Sequence, residues 1–516
     1  MHWADVIAER LIAEEKKHII ATGITPSGHI HVGNMREILT GDLIHRALLE
    51  RGGNSTLLYV GDSFDPLRKV YPFLDRRYQR YVGMPLSEVP CPCGKHESYA
   101  HHFLQPFLES LERLGVNQKT VLTHELYRNG SYAESIKRVL EHREEIRDIL
   151  ERVSGRKLPL SWFPYIPKCE ACGRFGAQVI DYSYPFVEYR CECGYEGKAD
   201  LRKDDGKLPW RVDWPARWWF LGVTCEPFGK DHGAAGGSYA TGKVIVQEIF
   251  GRSPPEPVMY EWIHLKGKGA MSSSTGVVVT GVEMLKMTPP EVLRFLIAKQ
   301  NPSRHIDFDP GLGILSLVDE YDRYERIYFG KESAPDVEDM KRTYELSEPL
   351  GKAAIPQKMP FQVPYRHLVT LVQLTDDLEE LKARIKRTMG LTEFPKEAEE
   401  RLRERVECVR YWLEGFAPEG VKFTLCSEMP EFYPSAKERE FLRRLYDILS
   451  SVPWDAEAVH KSIYDAAGEL GVKKGFRLLY RLFLNTSRGP RLGFFLSSLE
   501  RDFVLNRIME GILHEK

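Results

Sequence analysis

The sequence has no uninterrupted apolar run of ~18 residues, so no membrane-spanning helix is expected and no membrane partner is assigned. Its opening stretch, MHWADVIAERLIAEEKK, carries acids and bases through what would be the apolar part of a secretion signal, so secretion is not expected either. Net charge is nearly absent: 72 Lys and Arg against 74 Asp and Glu leave a formal charge of −2, which excludes a global field that would hold a polyanion. Any nucleic acid must then meet a local patch. Cysteine is scarce, nine in 516 residues, which excludes a disulfide scaffold. Low-complexity tracts are missing, and 42% apolar with 28% charged residues is the composition of an ordinary globular protein. At ~150 residues per domain the length implies roughly three domains.

Strand and helix periods alternate in the first part of the chain. His18 to Gly23 reads as a buried strand running into the turn Pro26-Ser27-Gly28, and Arg36 to Glu50 follows with helical spacing. A second strand, Ser55 to Val60, ends in Gly61-Asp62-Ser63-Phe64-Asp65-Pro66; the helical stretch Phe103 to Leu114 then leads to a third strand, Thr120 to Thr123. Such alternation predicts a parallel sheet covered on both faces. Between about 150 and 210 the pattern breaks into a hairpin, 177–182 with 184–189, flanked by cysteine pairs and read as an insertion. Alternation resumes with a strand at Phe220 to Thr224, a helix near Gly236 to Phe250 and a strand at Val258 to Glu261. Beyond about Gly311 amphipathic helices alone are expected, including Lys396 to Trp412, Ala436 to Leu449 and Ala456 to Leu470. The fold class predicted is a Rossmann-type α/β domain (1–310) holding a zinc-binding insertion (91–205), followed by an all-α domain (311–516).

Two segments carry chemistry. Thr25-Pro26-Ser27-Gly28-His29-Ile30-His31-Val32-Gly33-Asn34 lies past the first strand and at the start of a helix, where a doubly wound sheet binds ligands. Gly28 and Gly33 let a ring or a triphosphate approach the backbone, and His31 can donate to phosphate oxygens. The second segment, Lys266-Gly267-Lys268-Gly269-Ala270-Met271-Ser272-Ser273-Ser274-Thr275-Gly276, is a loop of hydroxyls, glycines and two lysines suited to closing over a triphosphate. Together they resemble the two signatures of class I aminoacyl-tRNA synthetases, usually written HIGH and KMSKS. The first signature here ends in Asn34, and Ala270 and Ser273 stand where the second has lysines. Both departures resemble the class I lysyl-tRNA synthetases, as do Asp65-Pro66-Leu67-Arg68-Lys69-Val70, Trp210 to Trp218, and Glu226-Pro227-Phe228-Gly229-Lys230-Asp231-His232.

The resemblance implies an enzyme that forms lysyl-adenylate from L-lysine and ATP with Mg2+, then transfers lysyl to the terminal adenosine of tRNA(Lys) in the cytoplasm. His31, Asn34, Lys266, Lys268 and Ser272, Ser273 and Ser274 are the expected catalytic groups, acting by alignment and charge stabilisation. Pro26, Ser27, Gly28, His31, Gly33, Asn34, Gly229, Asp231, His232 and Met271 are expected around ATP. A lysine ammonium needs a carboxylate and its stem an apolar wall, for which Asp62, Asp65, Glu226 and Trp218 are candidates, with Gly23 and Thr25 toward the α-amino group. Two alternative readings are a class I synthetase for glutamate or arginine, and a zinc-stabilised RNA-binding protein with a dead nucleotide fold.

Six of the nine cysteines stand in close pairs. Cys169, Cys172, Cys191 and Cys193 resemble a zinc ribbon with two knuckles, closed to water and therefore structural. Cys91 and Cys93 with His96 and one of His101 or His102 form a second candidate zinc site. Between Leu470 and Leu499 there are six bases, Lys473, Lys474, Arg477, Arg481, Arg488 and Arg491, and no acid. This is the local candidate for tRNA phosphates, and the resemblance assigns this half to anticodon binding.

Overall fold

The computed structural model describes residues 1–14, 17–271 and 278–514. The chain divides into two compact units. The first comprises Met1–Leu285, Pro290–Phe308 and Gly330–Ile355, the second Lys286–Pro289, Asp309–Phe329 and Pro356–Lys516.

At the centre of the first unit is a five-stranded parallel sheet in the order Glu256–Tyr260, Cys225–Gly229, β1 (His18–Ile24), β2 (Ser55–Gly61) and β3 (Lys119–Leu122). β1 lies in the middle, which is why its apolar residues run consecutively rather than alternating. Helix α1 (Trp3–Ile12) precedes it, and α2 (Val32–Glu50) follows, burying Met35, Ile38, Leu39, Leu43 and Ala47 at helical spacing. Strand order reverses beside β1, so a crevice opens beyond its carboxyl end, the usual ligand position in such sheets. Helix α3 (Tyr99–Arg113) links β2 to β3.

Three sequence expectations change. The strand expected at Phe220 to Thr224 is instead the end of a helix, Trp210–Leu221, stopped by Gly222 at φ 76; the strand begins at Cys225. An apolar run such as Trp218 to Leu221 suits a buried helix as well as a strand, and the left-handed glycine decides between them. The region 91–205 is not an insertion throughout, because α3 and the edge strand β3 belong to the central sheet's alternation. What stands apart is framed by the short antiparallel pair Ile166–Pro167 and Gly206–Lys207 and contains three antiparallel strands, Gln178–Ser183, Phe186–Arg190 and Glu196–Asp200. Finally, the boundary at 310 to 311 is not a single cut. Helix Val337–Ser347 returns to the first unit, where Arg342 pairs with Asp5 at 3.0 Å and Glu50 at 2.5 Å. A second small sheet that the sequence reading missed joins Gly269–Ala270, Ile263–Leu265 and Ile306–Phe308.

In the second unit all regular elements among the described residues are helical. Its core gathers Phe441, Leu442, Leu445, Leu479, Leu482, Phe483, Phe495 and Ile508, each almost fully buried. No described helix is long and apolar enough to cross a membrane.

Candidate active site

A cavity of about 920 Å³ opens beyond the carboxyl ends of β1 and β2 in the first unit. Thirteen of the residues singled out from the sequence line it: Gly23, Thr25, Ser27, Gly28, His31, Gly33, Asn34, Asp62, Asp65, Gly229, Asp231, His232 and Met271. The first signature owes its form to helix capping. His31 is the N-cap of α2; its Nδ1 accepts from the Asn34 amide at 3.3 Å, while the Asn34 side-chain oxygen accepts from the His31 amide at 3.2 Å. Asparagine at the fourth position thus closes a reciprocal capping box. Gly33 is required because a Cβ there would sit 2.8 Å from His31 Nδ1. Burial lowers the His31 pKa to about 4, so the ring is neutral at pH 7. With Nδ1 accepting, the proton resides on Nε2 and is left for a ligand.

Two of the expected carboxylates are already paired. Arg217 donates to Asp62 at 2.6 Å and to Asp213 Oδ1 at 2.7 Å; Tyr132 donates to the same Asp213 oxygen at 3.0 Å and Tyr127 to Oδ2 at 2.6 Å. Burial raises the Asp62 pKa against the opposing pull of Arg217. Asp65 pairs with Lys207 and accepts from Thr25 at 3.1 Å. Burial disfavours its charge, but these partners outweigh it and hold the carboxyl below its ordinary value.

Trp218 and Glu226 do not reach the cavity. The indoles of Trp214 and Trp218 donate to Glu226 at 2.9 and 2.5 Å, closing a buried cluster in which burial raises the Glu226 pKa to about 7. An aromatic and an acidic group not expected from the sequence take their place. Trp210 lines the cavity and stacks on Trp214 at 5.1 Å. Glu37 also lines it, accepting from the Gly23 amide at 2.7 Å and the Tyr260 hydroxyl at 2.6 Å. Burial lifts its pKa to about 8. Glu37 stands three residues after Asn34, hence on the same helix face, which was the available signal.

Pro26 is buried and does not line the cavity. Lys266 and Lys268 occupy the exposed turn between strands Ile263–Leu265 and Gly269–Ala270 and do not line it either. Ser272, Ser273 and Ser274 lie outside the described residues.

Both cysteine clusters are assembled. The sulfurs of Cys169, Cys172, Cys191 and Cys193 all lie within 4.8 Å of one another, with 3.6 Å between Cys169 and Cys193 and 3.7 Å between Cys172 and Cys191. A tetrahedral zinc thiolate site has sulfurs about 3.8 Å apart, given Zn–S bonds of ~2.3 Å. In the second cluster Cys91, Cys93, His96 and His102 have pairwise donor distances from 3.3 to 3.6 Å, the six edges of a tetrahedron. His101 is excluded: one residue away on α3 it turns aside, its Nδ1 2.9 Å from the Ser98 hydroxyl. Burial opposes the Cys91 thiolate, yet hydrogen bonds from His96 and Cys93 hold its pKa at about 5, favouring the ligating form.

The family described as tRNA synthetases class I (K) matches residues 1–350. The chain belongs to this class I synthetase family. Among relatives, it is 45% identical over 510 residues to the "Lysine--tRNA ligase" of Picrophilus torridus, covering 98% of each chain. It is 44% identical over 518 residues to that of Archaeoglobus fulgidus, covering 99% of this chain and 100% of the other. A glutamate tRNA ligase structure from Elizabethkingia meningosepticum aligns with 96% of this chain and 99% of its own at 14% identity and a TM-score of 0.40. Membership of the class I synthetases makes the chain an aminoacyl-tRNA synthetase and implies ATP with Mg2+. Of the carboxylates lining the cavity only Asp231 is exposed, and Mg2+, which keeps its waters and rides on phosphate oxygens, needs few protein ligands.

In the second unit the six bases are exposed. Lys473, Arg477 and Arg481 follow at four-residue intervals on one face of helix Val472–Leu484, whose other side buries Leu478, Leu479 and Leu482. Arg481 also lies over the Phe432 ring at 4.5 Å.

Proposed function

We propose that the chain is a lysine–tRNA ligase, joining L-lysine to ATP as lysyl-adenylate with release of pyrophosphate, then passing lysyl to the 2′-hydroxyl of the terminal adenosine of tRNA(Lys). The observation that carries the choice of amino acid is Glu37. It is a half-buried cavity-lining carboxylate that accepts from two uncharged donors, whereas Asp62 and Asp65 each already face a cation of the protein. An ε-ammonium entering the cavity therefore pairs with Glu37, with Tyr260 and Trp210 as walls for its four-carbon stem.

Activation then requires alignment rather than proton removal, because the attacking carboxylate is ionised at neutral pH. His31 Nε2 donates to phosphate oxygens, Ser27, Gly28 and Gly33 let the triphosphate approach the backbone, and Gly229, Asp231 and His232 border the nucleotide. Lys266, Lys268 and the serines at 272 to 274 belong to the loop that closes over the phosphates. Mg2+ neutralises phosphate charge when bound. The four-thiol and the Cys2His2 clusters hold structural zinc, and their reduced thiols fit a cytoplasmic setting. The exposed bases of the helical unit contact tRNA phosphates.

ATP–pyrophosphate exchange measured with each of the twenty amino acids, with and without tRNA, tests this reading. Lysine alone should support exchange; a faster rate with glutamate or arginine overturns the assignment.

A further inference from the structure

The connection from β2 to α3 spans residues 62–98 and contains no regular element beyond the short 3-10 helix Arg76–Tyr81. A loop this long needs something to fix it. It nevertheless delivers the groups that surround the nucleotide loop after β1. Tyr99, fully buried in the first turn of α3, donates to the Ser27 carbonyl at 2.7 Å. Phe103, one turn on, meets the His29 ring edge-on at 5.1 Å. His102, between them, is one of the four donors of the Cys2His2 cluster and packs on Phe103 at 4.6 Å. The other three donors, Cys91, Cys93 and His96, sit just upstream of that turn.

We propose that the Cys91, Cys93, His96 and His102 cluster, filled by zinc, acts as a strut for ATP binding: the metal fixes the first turn of α3, and Tyr99 then holds Ser27 in place for the nucleotide. Tyr99 is a positioning residue, since it acts through Ser27 rather than on substrate. The donor set suits zinc in geometry and chemistry. Zinc would join Cys91, Cys93 and His96 of the connection to His102 of α3, beside the backbone bonds from Tyr99 to Val89 at 2.7 Å and from Ala100 to Leu86 at 3.1 Å; metal loss would loosen that junction and weaken the support of the Ser27 loop. The proposal rests on the assignment of that loop to ATP.

The test measures zinc content, melting temperature, and dissociation constants for ATP and for lysine by calorimetry, on wild type, Tyr99→Phe, Cys93→Ser and the double variant. Loss of one neutral hydrogen bond should raise the ATP dissociation constant about three- to tenfold in Tyr99→Phe, with zinc content and lysine affinity unchanged and melting lowered by no more than a few degrees. Cys93→Ser should lose one zinc and show the same selective loss for ATP. The double variant should be no worse for ATP than the weaker single variant, because both break one linkage. Zinc loss in Cys93→Ser with unchanged ATP affinity overturns the strut, as does an equal loss for ATP and lysine. Should Cys93→Ser fail to fold, Tyr99→Phe decides alone, and an unchanged ATP constant there refutes the proposal. Wild type that binds no ATP would instead remove the nucleotide-site reading itself.

Discussion

Arginine and lysine serve opposite ends at two places, the cavity of the first unit and the acid-free stretch of the second. In the first they are buried against acids, with Arg217 between Asp62 and Asp213 and Lys207 on Asp65. In the helical unit Lys473, Lys474, Arg477, Arg481, Arg488 and Arg491 are exposed along a stretch without acids. The same side chains therefore answer to different variables. Buried pairs fix which carboxylate is left for a substrate, so the cavity's behaviour follows pH and single substitutions. Exposed bases that met a polyanion would release its counterions, so binding at that surface would follow salt.

The largest effect that would separate the two regions is His31→Ala. Removing a donor to developing phosphate charge should slow lysine activation by two to three decades, about 2.7–4 kcal/mol. Loss of its cap should lower stability by only about 1 kcal/mol. A thermal melt alongside the exchange assay checks both; a melt that collapses with the activity would turn His31 into a structural residue. Next comes Glu37→Gln, which keeps shape but removes charge. Lysine affinity should fall roughly thirtyfold, about 2 kcal/mol, with ATP affinity unchanged. In wild type the folded-state pKa is raised to about 8 by burial, so the carboxyl is protonated below that pH and must lose its proton to pair with an ammonium. Lysine affinity should therefore weaken as pH falls below 8, and calorimetry on Glu37→Gln should give a profile flat over the same range.

Neutralising Arg477, Arg481 and Arg488 together sharpens the other side of the comparison. The KM for tRNA should rise and its salt dependence flatten by up to about three units of slope, while lysine-dependent pyrophosphate exchange with saturating tRNA stays level. Normal tRNA binding at every salt concentration would leave this a solvated face. The smallest effect on chemistry is expected from Cys172→Ser, which should lower the melting temperature and zinc content without changing which amino acid is activated. Metal analysis that finds no zinc in the wild-type protein contradicts the ribbon.

What the sequence made legible was whatever depended on local spacing. The first signature, the spacing inside each cysteine pair, the alternation of β1 with α2 and helix Ala436–Leu449 all carry their cause within a few residues. Glu37 was not legible because, in sequence, it is an ordinary helix acid; only the arrival of the Gly23 amide and the Tyr260 hydroxyl from two separate strands shows that it turns into the cavity. Trp210 and Trp218 exchanged roles for a similar reason. Both are tryptophans of one helix, and which one meets the cavity depends on rotation about the helix axis, which tertiary packing sets. His101 and His102 posed the same ambiguity at smaller scale, and the direction of α3 resolved it.

Helix Val337–Ser347 has a consequence for how the chain is made. Asp5, in α1, pairs early with Arg51 at 2.5 Å but gains its second arginine, Arg342, only after more than half of the protein has left the ribosome, and buried Arg294 finds the Leu346 carbonyl, at 2.9 Å, later still. The catalytic sheet is complete by Tyr260, yet its unit cannot close until the stretch Asp309–Phe329, destined for the other unit, has been synthesised and passed over. Vectorial synthesis thus leaves a waiting intermediate in which Asp5 has Arg51 but not yet Arg342, and Arg294 still lacks the Leu346 carbonyl. A catalytic fragment ended at residue 310 would be trapped in that state, whereas one extended through Ile355 has the segments its first unit needs.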